Sequence, residues 1–103
     1  MSDTIIVTGV IDLDPANHDD AIAAMTECME ATRAEEGCEN YAFSADLADP
    51  GRFHVSEQWA SQTAMDAHGA SPHLAALLGK MGDLGVTAAS LTKWDGATPS
   101  KLM

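Results

Sequence analysis

Apolar and polar residues recur with clear periods along most of the chain. Thr4 to Asp12 (TIIVTGVID) is rich in β-branched residues and ends in a polar stop, which predicts a largely buried first strand. Asp14-Pro15 places a capping carboxylate ahead of a proline at the first helical position. From there to Glu36, Ile22, Met25, Met29 and Thr32 repeat at spacings of three and four, so a helix with one apolar stripe is expected. Asp19, Glu27, Glu30 and Glu35 fall largely outside that stripe, and Gly37 suits the position just past a helix end. Cys38 to Leu47 alternates, with Tyr41, Phe43, Ala45 and Leu47 on one face. Ala48-Asp49-Pro50-Gly51 reads as a turn, and Arg52 to Trp59 alternates again, placing Phe53, Val55, Glu57 and Trp59 together. Ser61 caps a short helix from Gln62 to His68, and Gly69 ends it. Ser71-Pro72 starts another through about Met81, with Leu74, Leu77, Leu78 and Met81 at helical spacing. Val86 to Trp94 reads as the last strand, and Asp95 to Met103 as a loose tail.

The order is βαββαβ, the ferredoxin-like pattern of an α+β fold with a four-stranded antiparallel sheet. One domain is expected over residues 1–103, with its core at 4–94. The helices can cover one face of such a sheet. Nothing in the chain is left for the other face, so a homodimer with sheet against sheet is expected.

Charge narrows the partners. Sixteen acidic residues against five basic ones give a formal net charge of −11. A phosphate backbone or an anionic bilayer would be repelled, so neither nucleic acid nor membrane is expected as a partner. No apolar run approaches the roughly 18 residues of a membrane-spanning helix. Met1-Ser2-Asp3-Thr4 lacks a basic leader segment, so a cytoplasmic location is expected. Cys28 and Cys38 fit neither a CxxC redox motif nor a zinc knuckle and are expected to be reduced core residues. No pair of histidines has the sequence spacing of metal ligands, so no metal is expected. The chain also lacks a P-loop, GxGxxG, HExxH or GxSxG motif.

Several short motifs do occur in a telling order. They are Gly37-Cys38-x-x-Tyr41, Asp49-Pro50-Gly51-Arg52-Phe53, Glu57-x-Trp59, Ala67-His68 and Ser71-Pro72-His73-Leu74. Together they resemble the antibiotic biosynthesis monooxygenase family, over roughly residues 4–94. The resemblance implies a dimeric α+β barrel. It also implies a cofactor-independent monooxygenase acting on a small aromatic, quinol- or anthrone-like, with dioxygen as co-substrate. A non-catalytic small-molecule-binding dimer and an isomerase of a small sugar-like metabolite are the alternatives. The family's haem-degrading members use a first-strand asparagine and a histidine further into the last helix. Here the first strand has Thr4 and Thr8, and Ala75-Ala76-Leu77-Leu78 has no histidine, so haem is not expected.

The oxygenase reading needs a base and apolar walls. His68 is the expected base or substrate contact, because imidazole titrates near neutrality. The alternative for it is a surface histidine favoured by a helix C-terminus. His73, in the first turn of the next helix, is a second ligand contact or a packing residue. Trp59 and Tyr41 offer flat apolar faces with one polar edge and either line the pocket or fill the core. Glu57, a carboxylate in an apolar row, either meets substrate or needs a structural partner such as a backbone amide, Arg52 or Lys93. His54, facing the other way with Ser56 and Gln58, is expected at the dimer interface, and His18 in solvent.

Overall fold

The computed structural model describes residues 2–103. Its elements are β1 (Ile5–Leu13), a 3-10 turn (Pro15–Asn17), α1 (His18–Arg33), β2 (Cys38–Ala45), β3 (Arg52–Trp59), α2 (Gln62–Gly69), α3 (Pro72–Lys80) and β4 (Val86–Trp94). The strands form one sheet in the order β2-β3-β1-β4, and every neighbouring pair is antiparallel. This is the expected α+β, ferredoxin-like arrangement. No helix among the described residues is long and apolar enough to cross a membrane.

The period-two strands bury the faces they predict. Phe53, Val55, Glu57 and Trp59 of β3 are buried, flanked by Ile5, Val7 and Ile11 of β1 and by Tyr41 of β2. A register shift between Cys38 and Asn40 makes Glu39 an extra residue in β2, so Cys38 faces Trp59 while Tyr41 faces Glu57. Gly9 lies where β1 passes β4. A Cβ there would come within 2.8 Å of the Leu91 Cα, so only glycine allows the two strands to pair at this point.

Four expectations need correction. Asp14 accepts from the Ala16 amide, but the turn it caps is 3-10, and α1 starts only at His18. The helix also ends early, at Arg33, because Gly37 (φ 80°) and the turn before it redirect the chain into β2. Its buried stripe is Ala21, Ala24, Met25, Cys28 and Thr32, which leaves Ile22 41% exposed. Strand β2 stops at Ala45, and Leu47 is fully exposed, because Asp46 turns the chain by accepting from the Ala48 and Asp49 amides.

Helix α1 packs on β2 and on α3, and α2 packs on β3. Nearly all of β4 stays exposed. The outer face of the sheet carries no helix. There Arg52 makes a two-pronged bond to Asp12 across the β1–β3 pair, at 2.7 and 3.0 Å, and His54 meets Asp46 at 2.8 Å. The Arg52 hydrogen bond, helped by its charge, holds the Asp12 carboxyl below its ordinary 3.8. A depressed carboxyl stabilises the fold above its unfolded value and loses that contribution as pH falls through the folded one. Asp12→Asn is therefore expected to lower stability at neutral pH, and its gap from the parent should close as pH falls below about 4. Urea unfolding at several pH values measures this.

Candidate functional site

Between the helices and the sheet lies a cavity of about 400 Å³. Val7, Val55, Phe43 and Tyr41 form its floor, and Met65, Leu74, Leu77 and Met81 its roof. Leu78 and Leu91, each about half exposed, line its open side beside β4. A space this size with mostly apolar walls holds one small molecule. Its polar lining comes chiefly from Glu57, His68, Thr92 and Lys93.

His68 lies in the last turn of α2 and is 5% exposed. Ser61, accepting from the Ala64 amide, fixes where that helix begins. The imidazole packs against Trp59 and Tyr41, with ring centroids 4.8 and 5.0 Å away. Its Nδ1 lies 2.8 Å from Glu35 Oε2. His73 comes from the first turn of α3, where Ser71 caps the Leu74 amide, and its Nε2 lies 2.8 Å from the same oxygen. Glu35 itself stands in the turn after α1, with its amide on the Thr32 carbonyl. Gly37, two residues on, has a Cα so close to α2 that an added Cβ would lie 2.5 Å from the Ala64 Cβ. That close approach brings the Glu35 turn against α2. With Glu35 as a carboxylate, both ring nitrogens facing it carry hydrogen and donate. Neutral His68 then keeps its lone pair on Nε2, the condition for a base.

Trp59 is fully buried, and its indole Nε1 donates to Glu57 Oε1 at 2.9 Å. The structural partner of Glu57 is thus neither a backbone amide, Arg52 nor Lys93. Arg52 is on the opposite face with Asp12, and the Lys93 ammonium is held by Gln62 at 2.8 Å and Asp95 at 3.0 Å. Tyr41 is 2% exposed, so its hydroxyl reaches no solvent-facing rim. Burial above all, with Cys28 and the carboxylates of Glu57 and Glu35 adding to it, pushes the phenol well above its usual range. It stays neutral and forms wall. Burial likewise raises the free thiols of Cys28 and Cys38, which favours their protonated form.

Of the sequence-derived residues, His68, Tyr41 and Glu57 line the cavity. Trp59 packs behind His68, and His73 joins the group through Glu35 and through its own ring, whose centroid lies 6.0 Å from that of His68. His54 lies on the outer face, and His18 bonds the Pro50 carbonyl and stacks on Phe53. Glu35 is the residue that sequence reasoning missed. Its signal was its place two residues before a positive-φ glycine, beyond the true helix end.

Comparison with known proteins settles the family. The family model described as antibiotic biosynthesis monooxygenase matches residues 4–79. The chain belongs to this family. A Deinococcus radiodurans crystal structure, provisionally described as an antibiotic biosynthesis monooxygenase, superposes with a TM-score of 0.87. It is 27% identical and covers 96% of this chain and 98% of its own. An uncharacterised Synechocystis protein is 32% identical over 82 residues, which is 80% of this chain. The match spans only 56% of that relative's length. A Mycobacterium tuberculosis protein provisionally named a monooxygenase is 35% identical over 69 residues, covering 63% of this chain and 67% of its own length.

Proposed function

We propose that this member of the antibiotic biosynthesis monooxygenase family oxygenates a small, electron-rich aromatic of the quinol or anthrone type in the cavity beneath α2 and α3. The observation that carries the reading is the imidazole of His68. It stands in the wall of a largely apolar cavity, held through Nδ1 by Glu35 and backed by Trp59. Such a substrate supplies its own electrons. His68 Nε2 takes an acidic proton, and the resulting anion passes an electron to dioxygen. Recombination gives a peroxide anion on carbon, and His68 returns the proton to it to form the hydroperoxide. Loss of water then leaves a carbonyl, so a methylene and one dioxygen become a ketone and one water. The protein's share is to position the ring, exclude bulk water and hold the proton. Apolar walls favour a flat neutral ring as the bound substrate.

The same reading includes a homodimer in the cytoplasm. The uncovered outer face, with Ile6 and Val10 half-buried and Trp94 56% exposed, is the surface that a second copy would cover. The isomerase alternative with a phosphorylated sugar is less well supported. Arg33 bonds the Tyr41 carbonyl and Arg52 pairs with Asp12, Lys80 does not line the cavity, and the Lys93 ammonium is already paired. An oxygen-electrode survey of quinols and anthrones, with ¹⁸O₂ labelling of products, tests the proposal. One labelled oxygen per product supports it. Binding of the same compounds with no oxygen uptake would leave a binding protein instead.

A further inference from the structure

We infer that Glu35, His68 and His73 form a binding site for a divalent transition ion such as Zn²⁺, and that the ion switches His68 from proton acceptor to proton donor. Two imidazole nitrogens converge on one carboxylate oxygen, each at 2.8 Å, and the three donor atoms all lie within 4.8 Å of one another. No other trio of His, Cys, Asp or Glu among the described residues gathers its donors so closely.

Geometry favours a single ion between them. Zinc binds imidazole nitrogen and carboxylate oxygen at about 2.0–2.2 Å, which sets neighbouring donors in a tetrahedron roughly 3.3 Å apart. The two 2.8 Å contacts to Glu35 need to widen by about half an ångström, and the His68 and His73 nitrogens, which lie within 4.8 Å of each other, need to draw together toward the same spacing. The donors come from three separate pieces of backbone, the turn after α1, the end of α2 and the start of α3. Each of these is fixed by its own cap or turn bonds. The side chains of Glu35 and His73 are 17% and 20% exposed, so an ion can enter and keep water in its fourth position. Two nitrogens and one oxygen suit zinc, nickel or cobalt better than magnesium or calcium, which prefer all-oxygen shells.

The consequence for His68 follows from proton positions. Without metal, the hydrogens are on His68 Nδ1 and His73 Nε2, the two atoms that face Glu35. A metal needs both lone pairs. In the neutral rings the hydrogens move, through solvent, to His68 Nε2 and His73 Nδ1, and no net proton is released. The effect on turnover rests on the oxygenase reading; the binding and the tautomer change do not.

Untagged full-length protein should bind one Zn²⁺ per chain by calorimetry. His73→Ala and Glu35→Gln should each weaken binding by at least the roughly 10–100-fold that even outer-shell changes cost. His54→Ala, on the outer face, should leave binding unchanged. Co²⁺ should give the intense visible bands of a four-coordinate site, which checks geometry if a variant folds poorly. Long-range ¹H–¹⁵N spectra should show the His68 proton moving from Nδ1 to Nε2 as Zn²⁺ is added. Absence of stoichiometric binding, or binding that survives His73→Ala but is lost in His54→Ala, would overturn the site. An unmoved His68 proton at full occupancy would overturn the switch. Zinc-insensitive turnover with the proton moved would instead count against His68 as the base.

Discussion

Replacing His68 with alanine is expected to lower kcat for oxygen uptake by about 10²–10⁴-fold, the usual contribution of a positioned general base. The KM for the aromatic should change far less, because the cavity proposed to take the ring is walled mainly by Val7, Phe43, Leu77 and other apolar residues. Glu35→Gln is a sharper version of the same test. An amide can turn its nitrogen to His68 Nδ1 and so favour the wrong tautomer, with the lone pair facing away from substrate. Loss of an orienting carboxylate is known to be severe where the base depends on it. A fall of at least about 10² is therefore expected, with the fold intact by circular dichroism. Equal turnover in the parent and both variants would remove His68 from the chemistry.

Trp59→Ala should give the largest loss of stability, about 3–5 kcal/mol by urea unfolding, as for other buried aromatics cut to alanine. Trp59 is fully buried, packs against His68 and edge-on to Tyr41, and donates the one hydrogen bond that the Glu57 carboxylate receives from protein among the described residues. Truncation leaves both a void and a buried carboxylate without a donor. Trp59→Phe separates these effects, because it keeps most of the ring and removes the N–H. Its expected cost is about 1–3 kcal/mol, the penalty for orphaning a buried polar group. Double substitution with Glu57→Leu should recover most of that loss, since an apolar pair needs no donor. If Trp59→Phe costs nothing, the indole bond is not what makes Glu57 tolerable in an apolar row.

Most of the fold was legible because its signals are local. The alternation from Arg52 to Trp59 became β3 without change, and the Ser61 and Ser71 caps start α2 and α3 where they were expected. Errors arose where local signals compete. Asp14-Pro15 begins a helical turn, yet that turn is 3-10, and the true helix follows it with its stripe turned toward Ala21 and Cys28. The site was legible residue by residue but not as a group. His68 and His73 share a hydrogen-bond partner in Glu35, which is 33 and 38 residues away in sequence. Glu35 carries no periodic mark, because its position is set by a turn and by the packing of three helices. Glu57 was rightly seen as needing a partner, but its donor stands two residues along the same strand face.

In the proposed complex the aromatic ring binds in the cavity beneath α2 and α3 with its acidic group on His68. A crystal structure with a bound quinol or anthrone analogue tests it most directly. The ring should lie between Leu77 and Val55, with a substrate oxygen within about 3 Å of His68 Nε2. A ligand seated elsewhere, or a cavity that stays closed while the compound is turned over, would contradict it.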